Sequence, residues 1–134
     1  MVIGTGVDLV EIGRVADILA RHRERFLDRV FTAAEAAYCR DRPFPAQHFA
    51  ARFAGKEAVL KALGAAGPGS LAWREIEILR SAGGEPTVCL HGQARAAAAA
   101  RGVERIHLSL SHSQAQAVAV AVAVGGPPGA GEAG

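Results

Sequence analysis

The stretch VIGTGVDLV, residues 2–10, alternates with a period of two. Ile3, Thr5, Val7 and Leu9 share one side; Gly4, Gly6, Asp8 and Val10 share the other. This predicts a strand whose glycine-bearing face lets something approach closely. Asp8 is the one charge in the stretch and lies near its end, on that glycine face. A strand end is a common place for a ligand-binding group. The plainer use is to cap the helix that follows.

Outward from this strand the period changes. From about Ile12 to Leu27 the spacing of Ile12, Val15, Ile18, Leu19 and Phe26 predicts a helix. Thr32-Ala-Ala-Glu35 fits a capping box that opens a short helix through Tyr38 and Cys39. Pro43 and Pro45 break the chain, and a longer helix is expected from about Gln47 to Leu63, ended by Gly64 and the loop AAGPGS. WREIEILR and TVCLH are expected to form a hairpin with Gly83-Gly84 in its turn. GQARAAAAARG reads as an alanine-rich helix ending at Gly102, and RIHLSLSHS and QAVAVAVAV as two closing strands. Helices interleave with hairpin-linked strands, so the expected class is α+β with a mainly antiparallel sheet packed with helices.

The length of 134 residues suits one domain, over residues 1–124, and the Gly/Pro-rich stretch 125–134 reads as a disordered tail. Half of the chain is apolar, but much of that is alanine, which fills little volume. A chain this small buries a modest share of its surface alone, and an oligomer relieves that shortage. The formal charge of +2 is too small to argue for a nucleic-acid partner. No unbroken apolar run fits a membrane span, because AVAVAVAV alternates as a strand does. No signal peptide precedes the first strand, so a cytoplasmic location is expected, with Cys39 and Cys89 as reduced thiols. The two cysteines match no metal-ligand spacing.

Thirteen of the fifteen basic side chains are arginine, and the only two lysines, Lys56 and Lys61, flank Glu57 in ARFAGKEAVLKALG, residues 51–64. On a helix, Phe49, Phe53 and Leu60 share a face, and Glu57 lies about 40° from Phe53. A carboxylate there either pairs with Lys61 at i,i+4 or holds a cation. Asp8 and Glu57 together suit Mg²⁺, which takes one or two carboxylates and completes its shell with water and substrate phosphate. Lys56, Lys61 and Arg52 are within reach of such phosphates by their helical spacing. His112 lies in the turn Ser111-His112-Ser113 and matters only if that turn lies beside the lysine helix. Arg14, Arg21 and Arg25 fall within about 20° of one line on the first helix. Such a stripe is either a solvated face or a dock for an acidic surface, protein or nucleic acid.

GTGVDLVEIGRV, FTAAEAAYC, ARFAGKEAVLKALG, the IEIL…GGEP hairpin and IHLSLSHS occur in that order. The set resembles the holo-acyl-carrier-protein synthases, the short bacterial type of 4′-phosphopantetheinyl transferase, from about residue 2 to 124. Gly55 stands where that family commonly has alanine, and Ser113 where threonine is usual. The resemblance implies the 4′-phosphopantetheinyl transferase fold and a homotrimer with active sites between subunits. It implies transfer of phosphopantetheine from coenzyme A to a serine of an acyl carrier protein, in fatty acid biosynthesis, with release of 3′,5′-ADP. Asp8 and Glu57 would then ligate Mg²⁺, and Glu57 and Lys61 would be catalytic. Arg52, Lys56, Lys61 and His112 would hold coenzyme A, and Arg14, Arg21 and Arg25 the carrier protein. Neither nucleic acid nor membrane is expected as a partner.

Overall fold

The alternation of residues 2–10 becomes strand β1, Val2–Glu11, in a computed structural model that describes residues 1–65 and 71–126. β1 pairs antiparallel with β5, Gln116–Val124, and β5 with β4, Arg105–His112, giving the sheet order β1-β5-β4. A separate antiparallel hairpin joins β2, Ile76–Arg80, to β3, Pro86–Leu90. Helices α1, Ile12–Val30, α2, Ala33–Arg40, α3, Pro45–Ala62, and α4, Gly92–Ala100, complete the α+β architecture.

α3 is the central element, and glycine decides how close it lies. A Cβ on Gly4 would stand 2.0 Å from the Ala62 carbonyl oxygen, and one on Gly6 2.0 Å from that of Ala58. The open face of β1 is therefore filled by the chain's own helix. The neighbouring strand obeys the same constraint: Ala117, Ala119, Ala121 and Ala123 all point inward and are fully buried. Val118, Val120 and Val122 leave by the other face, and Val120 is exposed together with Val7 and Leu9 of β1. The usual polarity of a two-faced strand is reversed. Small side chains go in because the helix backbone is near; branched ones go out.

α3 has no polar face. Phe49, Ala50, Ala54, Ala58 and Val59 are all fully buried, and together they run around its circumference. The single stripe expected of it gives way to burial on nearly every side. The helix starts at Pro45, not Gln47, because proline is tolerated where the first N–H needs no partner. Phe44 before it takes a left-handed backbone, φ 55°.

Other expectations shift by a few residues. α1 runs on to Val30, but His22 leaves the helical region (φ −139°, ψ 41°), which resets the phase. Leu27 and Val30 thus fill the core, and Phe26 is only half-buried. The strand expected from Trp73 begins at Ile76, after a 3₁₀ turn, Trp73–Glu75. The capping box forms as read: Thr32 N–H donates to Glu35 Oε1 at 2.9 Å, and Glu35 N–H to Thr32 Oγ1 at 3.3 Å. Most of the AAGPGS loop and residues 127–134 of the tail lie outside the described residues. Gly125, at the start of that tail, donates its N–H to the Met1 carbonyl at 2.8 Å. Among the described residues no helix is long and apolar enough to cross a membrane.

Candidate active site

Because Gly6 admits α3 against β1, the acids Asp8 and Glu57 line the same cleft, of about 370 Å³. Arg14, Phe26 and Phe53 are among its other walls. Asp8 does not cap α1, whose N-cap is Glu11 with no side-chain cap bond. Nor does Glu57 pair with Lys61. Lys61 Nζ donates instead to the Val7 carbonyl at 2.9 Å and lies 3.4 Å from Asp8 Oδ1. Glu57 Oε1 accepts from the Trp73 indole N–H at 3.4 Å. Both plain alternatives for the two acids are therefore unrealised. The donors present, two carboxylates from different elements with open volume beside them, fit a hard divalent cation that keeps part of its water or phosphate shell.

Lys56 lies elsewhere. It is fully buried, and its ammonium donates to Glu35 Oε1 at 2.7 Å, the Ile76 carbonyl at 2.6 Å and the Trp73 carbonyl at 3.0 Å. All three protons are spent inside the protein, so the expectation that it meets phosphate is not realised in this chain. Burial pulls its pKa down and the Glu35 carboxylate opposes that pull. Glu35 is also fully buried, and its second oxygen accepts from the Ile78 N–H at 2.8 Å. Sequence reading missed this pair because the capping box already accounted for Glu35.

Arg52 and His112 meet in a second, smaller pocket of about 130 Å³, with His48, Arg80 and Gln47. Arg52 is buried, its guanidinium stands 4.3 Å over the Tyr38 ring, and its Nε has no partner among the described residues. Arg42 stands over the same ring at 4.4 Å. His48 is held below its usual pKa, first by burial and then by the charges of Arg52, His112, Arg80 and Arg42. Among the described residues no carboxylate lines this pocket, and its arginine and histidine side chains suit an anion. His48 was legible as a neighbour of Arg52 at i−4 on one helix. Arg80 was not, because only tertiary packing brings β2 there.

The acid cleft and the anion pocket share no residue. Arg52 and Glu57 are five positions apart on α3, about 140° around its axis, so they face different ways. The turn carrying His112 does lie beside α3, but beside its first half and away from Lys61. Arg14, Arg21 and Arg25 are all exposed. The break at His22 separates Arg25 from the helical phase of the other two, so the three do not form one straight line.

Residues 4–123 match the 4′-phosphopantetheinyl transferase superfamily. The chain is 44% identical over 109 residues to the holo-[acyl-carrier-protein] synthase of Koribacter versatilis, covering 81% of this chain and 87% of that one. It is 51% identical over 104 residues to that of Moorella thermoacetica, covering 78% and 80%. Its structure is similar to that of the Helicobacter pylori holo-[acyl-carrier-protein] synthase in complex with coenzyme A. There the TM-score is 0.79 at 28% identity, over 90% of this chain and 99% of the other.

Proposed function

The chain belongs to the holo-[acyl-carrier-protein] synthases of the 4′-phosphopantetheinyl transferase superfamily, and from that membership we propose how its own residues transfer phosphopantetheine from coenzyme A to an acyl carrier protein. The convergence of Asp8 and Glu57 on one cleft carries this reading. These two acids would hold Mg²⁺. When bound, the ion supplies positive charge that offsets the diphosphate of coenzyme A and steadies in-line displacement.

The serine hydroxyl of the carrier protein forms a bond to the phosphorus that bears the pantetheine arm. The bond from that phosphorus to the bridging oxygen breaks, and 3′,5′-ADP leaves. A phosphate leaving group needs little acid help, so the serine proton is the harder problem. Glu57 takes it, with its Oε1 oriented by the Trp73 indole. Lys61 is a donor here: it already donates hydrogen bonds to the Val7 carbonyl and the Asp8 carboxylate, and its half-exposed ammonium reaches phosphate oxygens at the cleft edge. Lys56 positions Glu57, by pinning the adjacent turn of α3 to Glu35 and the Trp73 carbonyl.

The anion pocket of Arg52, His48, Arg80 and His112 helps hold the phosphates and nucleotide of coenzyme A, as one wall of a larger site. It faces away from the acid cleft of its own chain, so a second copy supplies it. The outward face with Val7, Leu9 and Val120 reaches the acid cleft through Leu9 and offers a surface for that contact, which supports a homotrimer with sites between subunits. Arg14 sits in the acid cleft and, with Arg21 and Arg25, meets an acidic face of the carrier protein.

The test is to incubate apo carrier protein with coenzyme A, Mg²⁺ and this chain and weigh the product. A gain of one phosphopantetheine is expected. Asp8→Asn and Glu57→Gln should each lower turnover by about 100-fold or more, at least what the loss of an outer partner of a metal ligand costs, with melting unchanged. An Asp8→Asn protein of undiminished turnover removes the ligand assignment.

A further inference from the structure

A third cluster of reactive side chains lies outside both the acid cleft and the anion pocket, on the β2–β3 hairpin. Glu77 pairs with Cys89 across the hairpin, and His91 follows two residues later, so all three leave the same face. One ligand atom from each of Glu77, Cys89 and His91 lies within 4.8 Å of the other two. We propose that these residues form a zinc site, in which the Cys89 thiolate, the His91 imidazole and the Glu77 carboxylate bind one Zn²⁺ and leave the fourth position open.

The donor set selects the ion. Thiolate, imidazole and carboxylate together are zinc ligands, and three of them with one open position is a common zinc arrangement. Mg²⁺ prefers oxygen alone, so it is not expected to compete here. The backbone that carries the ligands, and the Glu77 carboxylate itself, are held in place before any ion arrives. Glu77 Oε2 accepts from Thr32 Oγ1 at 2.6 Å, which directs Oε1 to within 3.0 Å of His91 Nε2. That is the outer partner that orients a ligating carboxylate. His91 N–H donates to the Glu75 carbonyl at 2.8 Å, and the Glu75 carboxylate accepts from the Gln93 and Ala94 N–H groups that open α4. Two strands and a helix start thus fix the three backbone positions, and Thr32 fixes the Glu77 carboxylate.

Cys89 and His91 are exposed, so rotation of their side chains suffices to close the set by about 1 Å around an ion. Binding replaces the Glu77–His91 hydrogen bond and releases the Cys89 thiol proton. The other cysteine does not compete. Cys39 is buried and burial pushes its pKa up to about 11, against the pull of Arg52. The site does not depend on the transfer chemistry and makes no use of Asp8 or Glu57.

The metal-free full chain is titrated with Zn²⁺ against a chromophoric chelator, in the presence of excess Mg²⁺. Co²⁺ serves as the spectroscopic stand-in. One ion per chain and a near-ultraviolet thiolate-to-cobalt band are expected. Cys89→Ser should remove the band, and both Cys89→Ser and His91→Ala should weaken zinc by about 100-fold or more. Cys39→Ala should change neither. Less than one ion per chain, or binding that survives Cys89→Ser or His91→Ala at full strength, overturns the proposal.

Discussion

Lys56 shows how much one side chain can commit. Its ammonium and the Glu35 carboxylate are both fully buried at 2.7 Å; backbone carbonyls take the other two ammonium protons, and the Thr32 and Ile78 N–H groups each donate to one carboxylate oxygen. Two ions taken from water at such cost hold together only while both are present. Lys56→Met leaves the buried Glu35 carboxyl without its counter-ion, and should cost about 3–5 kcal/mol in denaturant unfolding. Adding Glu35→Leu should restore part of that loss, because an apolar pair carries no desolvation penalty. An unaltered midpoint in Lys56→Met would show that the pair contributes nothing. The lysine-rich stretch 51–64 thus divides its two lysines: Lys61 stays at the cleft, and Lys56 goes inside.

At the scale of the elements, the contact of β1 with α3 places the two acids. Gly6→Ala puts a methyl where the Ala58 carbonyl already lies, 2.0 Å away, so the helix must move off the strand. A loss of about 1–3 kcal/mol is expected, with turnover falling as Asp8 and Glu57 separate. Gly13→Ala, with nothing within 4 Å of the added carbon, is the control and should be neutral or slightly stabilising. Thermal melts of the two variants side by side decide the matter. α1 makes its own prediction. Arg14→Glu with Arg21→Glu should raise the carrier-protein KM by about tenfold or more while leaving that for coenzyme A near its starting value. Equal movement of both constants would mean that these arginines do not meet the carrier.

For the whole molecule, the question is what covers the outward valines. Val7 and Val120 face each other across β1 and β5 on the exposed side. Val7→Lys with Val120→Glu keeps a favourable cross-strand pair but makes the face polar. If the proposed trimer holds, the variant should be a folded monomer by light scattering, without turnover. An assembly of unchanged mass, or an active monomer, would place the subunit contact elsewhere. The separation of the two sites on one chain follows from the helix itself, since Arg52 and Glu57 leave α3 on different sides.

Local pattern by itself determined the strands at 2–10 and 116–124, the capping box at Thr32 and Glu35, and the alanine-rich helix, which stops at Ala100 just short of Gly102, because each of these rests on bonds or spacings within a few residues. The glycine face of β1 was equally plain, since a missing side chain is visible in the letters alone. Tertiary structure decided the rest. Which body fills that face, which lysine is buried, and that Cys89 stands beside Glu77 and His91 all depend on contacts between residues far apart in the chain. Local spacing does not encode such contacts. A buried charge is stable only where a partner from another element arrives, and the choice between solvent and interior for Lys56 was made by Glu35, twenty-one positions away.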